Sequence, residues 1–167
     1  SSFTDWFRPV SQNNYSIIQS ARRKGGGYGR RGLVVLGGVD EKDFLNRPEV
    51  YLRYLAHEIA HAWWWKAPVE TWHDWLNEGF AEISAQILVA ERFGQEIYHR
   101  NMETKRQTAN GMGPLWGFDR FDQNTPEKQE RCERLLYARG PVILHDLRNQ
   151  IGCDPFLALC RRFLRVE

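Results

Sequence analysis

The chain has 167 residues, of which 42% are hydrophobic and 26% charged, the composition of an ordinary globular domain with a sizeable core. Its net charge of +2 is too small to imply nucleic acid or an acidic membrane surface as the main partner. No apolar run is long enough for a membrane span, and residues 1–20 lack the basic and apolar regions of a signal peptide, so no compartment is assigned.

In chain order, Tyr15–Ile18 and Leu33–Leu36 read as short β-strands. The Arg- and Gly-rich stretch 22–32 between them reads as a mobile loop or tight turn. Pro48 suits the first position of a helix and Pro68 sets its far limit, so a first long helix is expected over about 48–66. A second is expected over about 73–93, stopped by Gly94, and a third over about 95–108. Residues 109–125 look irregular. Pro126 opens a fourth helix, which Gly140-Pro141 should break before a continuation to about Gln150. Asp154-Pro155 reads as the N-cap and first turn of a last helix. Cys132, Cys153 and Cys160 form no CxxC pair and read as buried free thiols. The expected fold class is α+β, mostly α, with a small N-terminal β-sheet.

His57-Glu58-Ile59-Ala60-His61 falls inside the first long helix. Histidines at i and i+4 project from one face and can converge on one ion. A catalytic Zn²⁺ accepts such nitrogens, takes a third protein ligand and keeps one position open. Glu58 lies about 100° round the helix from His57, where a general base belongs. Glu78 on the second helix is the expected third ligand. Glu82, one turn further, could accept a hydrogen bond from the free nitrogen of a ligating histidine. One Zn²⁺ per chain is therefore expected, held by His57, His61 and Glu78. His73, His99 and His145 have no ligand spacing and read as structural or exposed.

The His57–His61 motif followed by Trp75-Leu76-Asn77-Glu78-Gly79-Phe80-Ala81 resembles the aminopeptidase-N-like gluzincins, relatives of thermolysin. Leu136-Tyr137-Ala138-Arg139-Gly140 is similar to that family's Tyr-x-Lys-Gly segment. The resemblance covers about residues 25–160. It implies a thermolysin-like zinc peptidase catalytic domain in which Glu78 is the third zinc ligand and Tyr137 stabilises the oxyanion. It further implies metal-activated water with Glu58 as general base, and a peptide or protein as substrate. Residues 1–167 are then a single metallopeptidase catalytic domain, a fragment or minimal version of the family's larger chain, and further domains are missing from it. The strand Leu33–Leu36 is expected to bind the substrate backbone as an added strand.

Two departures stand out. The family's gap of eighteen residues between the second His and the ligand Glu is here sixteen, residues 62–77. Where the family has Gly-x-Met-Glu-Asn, this chain has Gly26-Gly27-Tyr28-Gly29-Arg30. The Glu that grips a substrate's amino terminus in the family is thereby replaced by Gly29. Neighbours of Glu78, Asp40 and Glu82 among them, or a Glu from a missing domain could restore an anchor. A rival reading makes the chain a catalytically inactive binding module on a peptidase fold. Another makes stretch 22–32 an RNA contact, against which the rest of the chain is not basic. No nucleic-acid partner is expected.

Overall fold

The computed structural model describes residues 2–10, 14–22, 26–30 and 32–165. The elements follow in the order α1 (Ser2–Trp6), β1 (Ser16–Gln19), β2 (Gly27–Arg30), β3 (Leu33–Leu36), α2 (Glu41–Asn46), α3 (Pro48–Ala60) and α4 (Asp74–Phe93). Then come α5 (Gln95–Ala109), α6 (Pro126–Arg134), a π-helical turn (Leu135–Arg139), α7 (Gly140–Ile151) and α8 (Cys153–Phe163). This is the expected class, mostly helical with a small N-terminal sheet. No helix among the described residues is long and apolar enough to cross a membrane.

The core forms where α4 packs between α3 and α7. Ala56 and Ala60 of α3 meet Phe80, Ala81 and Ile83 of α4, all essentially buried. Small residues on both helices let the two axes come close. Behind them, Trp64 stacks on Phe80 with ring centroids 4.5 Å apart, and Phe163 of α8 stacks on Phe80 at 5.6 Å and lies 6.4 Å from Trp64. Helix α1 adds Phe3, and Phe7 follows it; both lie against Trp63. A second cluster of Leu115, Phe118, Cys132, Leu135 and Leu136 anchors the irregular segment between α5 and α6.

The sheet has the order β1-β3-β2. β3 runs parallel to β1, with Ser16 opposite Leu33, and antiparallel to β2, with Gly27 opposite Leu36. Tyr54 of α3 holds the sheet from below. Its hydroxyl oxygen accepts from the Gly26 amide at 3.1 Å and the Gly37 amide at 3.2 Å. Tyr51, about one turn earlier on α3, accepts from the Asp40 amide at 3.3 Å and donates to Asp43 at 3.1 Å, tying α2 down.

Several expectations need correction. Part of the Arg/Gly stretch is a strand, because Gly27–Arg30 pairs with β3; residues 23–25 and 31 lie outside the described residues. Strand β3 is central and paired on both sides, so it has no edge to offer a substrate; the edge strand on that side is β2. Helix α3 ends at Ala60 rather than 66. Its last amides turn back in tight i→i+3 fashion, Ala62 to Ile59 and Trp63 to Ala60, so that Trp63 and Trp64 swing into the core. Gly140-Pro141 does not break the helix, since the π-helical turn widens the ladder just ahead of the proline ring. Gly152, not Asp154, caps α8, and Asp154 sits in its first turn. Cys132 and Cys160 are buried free thiols, while Cys153 is exposed. The short helices α1 and α2 had no sequence expectation. Asp40 starts α2 as an N-cap, its carboxylate accepting from the Asp43 amide at 2.9 Å.

Candidate metal centre

His57 leaves the last turn of α3 and His61 is its C-cap, so the two rings stand one turn apart with centroids 5.0 Å from each other. Each imidazole is held through Nδ1. His57 Nδ1 lies 3.0 Å from Glu82 Oε2, and His61 Nδ1 lies 2.9 Å from the Trp64 carbonyl. Both acceptors require Nδ1 to carry the hydrogen, which leaves each Nε2 lone pair free. Both Nε2 atoms face Glu78 Oε2, at 3.1 Å from His57 and 3.7 Å from His61. One ligand atom from each of the three residues lies within 4.8 Å of the others. Ligands of a tetrahedral zinc at 2.0–2.1 Å stand roughly 3.4 Å apart, so this donor set fits that ion with small rotations.

The loop from α3 to α4 brings Glu78 in. Asn77, buried beside it, accepts from the Ala67 amide at 3.1 Å and donates to the Ala67 carbonyl at 3.0 Å. Asp74 at the head of α4 pairs with Arg120 at 2.8 Å. Trp64 Nε1 donates to Ser84 at 3.1 Å. These bonds pin both ends of a loop two residues shorter than the family's, and the carboxylate still reaches the histidines.

Glu82 is 1% exposed. Its carboxylate accepts from Arg53 at 2.9 and 3.0 Å, from Gln86 at 3.0 Å and from His57, and Lys105 Nζ lies 2.8 Å away. Burial raises its pKa, but Lys105 and Arg53 overcome this, with help from His57, and hold it well below the usual carboxylate range. For His57, burial favours the neutral ring, while the hydrogen bonds to Glu78 and Glu82 outweigh it and raise the pKa to about 10. A divalent cation competes with that proton for the same Nε2 lone pair. Burial, then the charge of His57, lowers His61.

Glu58 points into the cleft from the sheet side of α3 and is buried. Burial is the main cause that pushes its carboxyl up to about 7. Tyr137 stands on the π-helical turn with its ring centroid 5.9 Å from that of His57. Burial raises its pKa, so the hydroxyl keeps its hydrogen as a donor. The five residues singled out in the sequence thus line one cleft of about 1310 Å³. The sequence did not point to Arg53, Lys105 and Glu133, which line the same cleft. Arg53 carried a usable signal, one helical turn before His57 on the same face. Lys105 and Glu133 come from distant helices and had none.

Strand β2 forms the opposite wall. A Cβ at Gly27 would lie 2.0 Å from Glu58 Oε1, and a Cβ at Gly29 would lie 2.0 Å from the Glu58 carbonyl oxygen. The two glycines let the strand lie directly on the helix that carries Glu58.

A His-Glu-x-x-His helix paired with a carboxylate from the next helix, on this fold, defines the zinc-metallopeptidase class. Residues 41–166 match the Peptidase family M1 domain, and the chain belongs to that family. It is 31% identical over 122 residues to membrane alanyl aminopeptidase of Manduca sexta, covering 68% of this chain and 12% of that protein. It is 32% identical over 110 residues to aminopeptidase N of Haemonchus contortus, covering 60% of this chain and 11% of that protein. The chain therefore spans about an eighth of the length of the curated relatives it matches. A mutant M1 zinc metallopeptidase from Deinococcus radiodurans shares the fold with a TM-score of 0.71 at 20% identity, over 97% of this chain and 34% of that one. Native leukotriene A4 hydrolase from Saccharomyces cerevisiae does so at 0.71 and 15%, over 97% and 27%.

The close approach of β2 is testable. Gly29→Ala places a methyl against backbone that cannot rotate away. It is expected to cost about 1–3 kcal/mol, as overpacking does, and to speed amide exchange in β2 and β3. Denaturant unfolding and hydrogen-exchange mass spectrometry check this. Parent stability with unchanged exchange would show that the strand does not rest on α3 in this way.

Proposed function

We propose that the chain is the catalytic module of a zinc-dependent peptidase of aminopeptidase type, acting on peptides, with residues 1–167 forming one unit. His57, His61 and Glu78 hold one zinc per chain. The convergence of their ligand atoms within 4.8 Å, in the cleft that Glu58 and Tyr137 also line, carries this reading.

When bound, zinc supplies Lewis-acid polarisation of the scissile carbonyl and a water that ionises near neutral pH. Glu58 takes the proton of the attacking water and delivers it to the leaving amine. Tyr137 donates its hydroxyl hydrogen to the carbonyl oxygen as charge develops there. Glu82 keeps the His57 ring turned so that Nε2 faces Glu78. The substrate backbone pairs with the free edge of β2, which Gly27 and Gly29 let lie directly on α3 beside Glu58.

The test begins with zinc content after addition of zinc and removal of excess, expected at about one ion per chain. Glu58→Gln and Tyr137→Phe should each retain that zinc. Each should lower peptide turnover by at least about a hundredfold, through loss of the base or of the oxyanion donor. A variant that cleaves at the parent rate removes its residue from the mechanism. A parent that holds zinc and cleaves nothing is a binding module.

The finer part of the proposal concerns the substrate's amino terminus. Gly29 stands where the family's anchoring Glu would be. Asp40 is committed to capping α2, and Glu82 is buried among four partners. Arg30 adds like charge to the same wall, which disfavours a bound ammonium. Matched peptides with free and acetylated amino termini are therefore expected to be cleaved within about tenfold of each other. A preference for the free amine on the order of a hundredfold, as a good charge pair supplies, would contradict this. In that event Glu133, the exposed carboxylate on the cleft wall, is the anchor, and Glu133→Gln would abolish the preference.

A further inference from the structure

Pro141 has no amide hydrogen, so it cannot bond the carbonyl four residues before it, and its ring crowds that same carbonyl. That carbonyl belongs to Tyr137. Around it the helix is widened, and the Gly140 amide reaches back five residues to the Leu135 carbonyl. The Tyr137 carbonyl accepts instead from Lys105 Nζ, which comes from α5, at 2.7 Å. The same nitrogen lies 2.8 Å from Glu82 Oε1. The other oxygen of Glu82 holds His57 Nδ1 at 3.0 Å. One mostly buried ammonium therefore touches the backbone that carries the Tyr137 ring and the carboxylate that orients His57.

Lys105 and Arg53 together offset the burial of Glu82, but that role alone leaves the contact with the Tyr137 carbonyl unexplained. Arg53 already reaches both carboxylate oxygens, and Gln86 and His57 donate as well. What Lys105 alone adds is the bond to the Tyr137 carbonyl. Charge-assisted bonds of this kind are short and strong, and a partly desolvated site makes them more so.

We propose that Lys105 is a positioning residue, whose ammonium clamps the Tyr137 turn to Glu82 and so sets the phenol's place relative to His57. The proposal rests on the reading of Tyr137 as oxyanion donor and His57 as zinc ligand. Without the clamp the turn relaxes around Pro141 and the phenol leaves its place. A misplacement of about 1 Å costs on the order of a hundredfold in rate.

Lys105→Met keeps the length of the side chain and removes its donors. In the zinc-loaded full chain it is expected to lower kcat by about ten- to a hundredfold, with KM within about threefold. Zinc affinity, read by chelator competition, should weaken by no more than about tenfold, because Arg53 and Gln86 still hold Glu82. Amide exchange across residues 138–142 should quicken. The decisive comparison is the same substitution in Tyr137→Phe, where kcat should change by less than about threefold because the donor is already gone. Equal losses in both backgrounds, or an unchanged kcat in the parent, overturn the proposal. Lys105→Gln, too short to span both partners, runs the same cycle with the same outcomes should the methionine variant not fold. If the parent neither binds zinc nor cleaves, or if Tyr137→Phe alone leaves kcat unchanged, the reading of the site fails and takes this inference with it.

Discussion

The buried carboxylate of Glu82 is the constraint on which the rest of the site depends. Removing a carboxylate from water costs several kcal/mol unless it is paired and its lone pairs are filled. Here Arg53 and His57 from α3, Gln86 from α4 and Lys105 from α5 surround it. Three helices must therefore stand at fixed distances for the charge to be tolerated. Once they do, His57 has one orientation and its Nε2 faces Glu78. The polar network that makes burial of Glu82 possible is the same network that aims the His57 Nε2 at Glu78.

Around that point the chain uses local departures from regular structure. α3 stops at Ala60, so His61 becomes a cap whose Nδ1 reaches the Trp64 carbonyl, and two tryptophans fold under the helix to fill the core. A longer regular helix would leave His61 without that acceptor and Trp64 without Phe80. On the other wall, Gly27 and Gly29 let a strand lie on Glu58. Across the cleft, a π-helical turn accommodates Pro141 and presents Tyr137. Irregular backbone of this kind costs stability, and it is concentrated here at the cleft, as is common where geometry serves chemistry.

Much of this was legible in advance. The i, i+4 histidines, Glu78 on the following helix and the support from Glu82 follow from helical periodicity, and the cleft brings them together. The long helices were legible because α3, α4, α5 and α7 carry amphipathic patterns with proline or glycine at their ends. The role of the glycine stretch was not. A stretch dense in glycine reads as a turn by conformational freedom alone, whereas here the reason for Gly27 and Gly29 is the approach of another element. The Gly140-Pro141 pair misled in a related way, because the rule for proline assumes an α-helical ladder and the widened turn removes the clash.

What the sequence by itself determined is the pair of histidines one turn apart and the long helices, since both depend on spacings of a few residues that helix geometry fixes. The tertiary structure alone decided which strand presents a free edge, β2 rather than β3, because strand order within a sheet is a long-range choice. It alone decided that Lys105, some fifty residues from His57 in sequence, reaches both Glu82 and Tyr137. Such contacts have no local periodicity to announce them. They exist only because the packed helices bring the Tyr137 carbonyl and a buried carboxylate within reach of one ammonium.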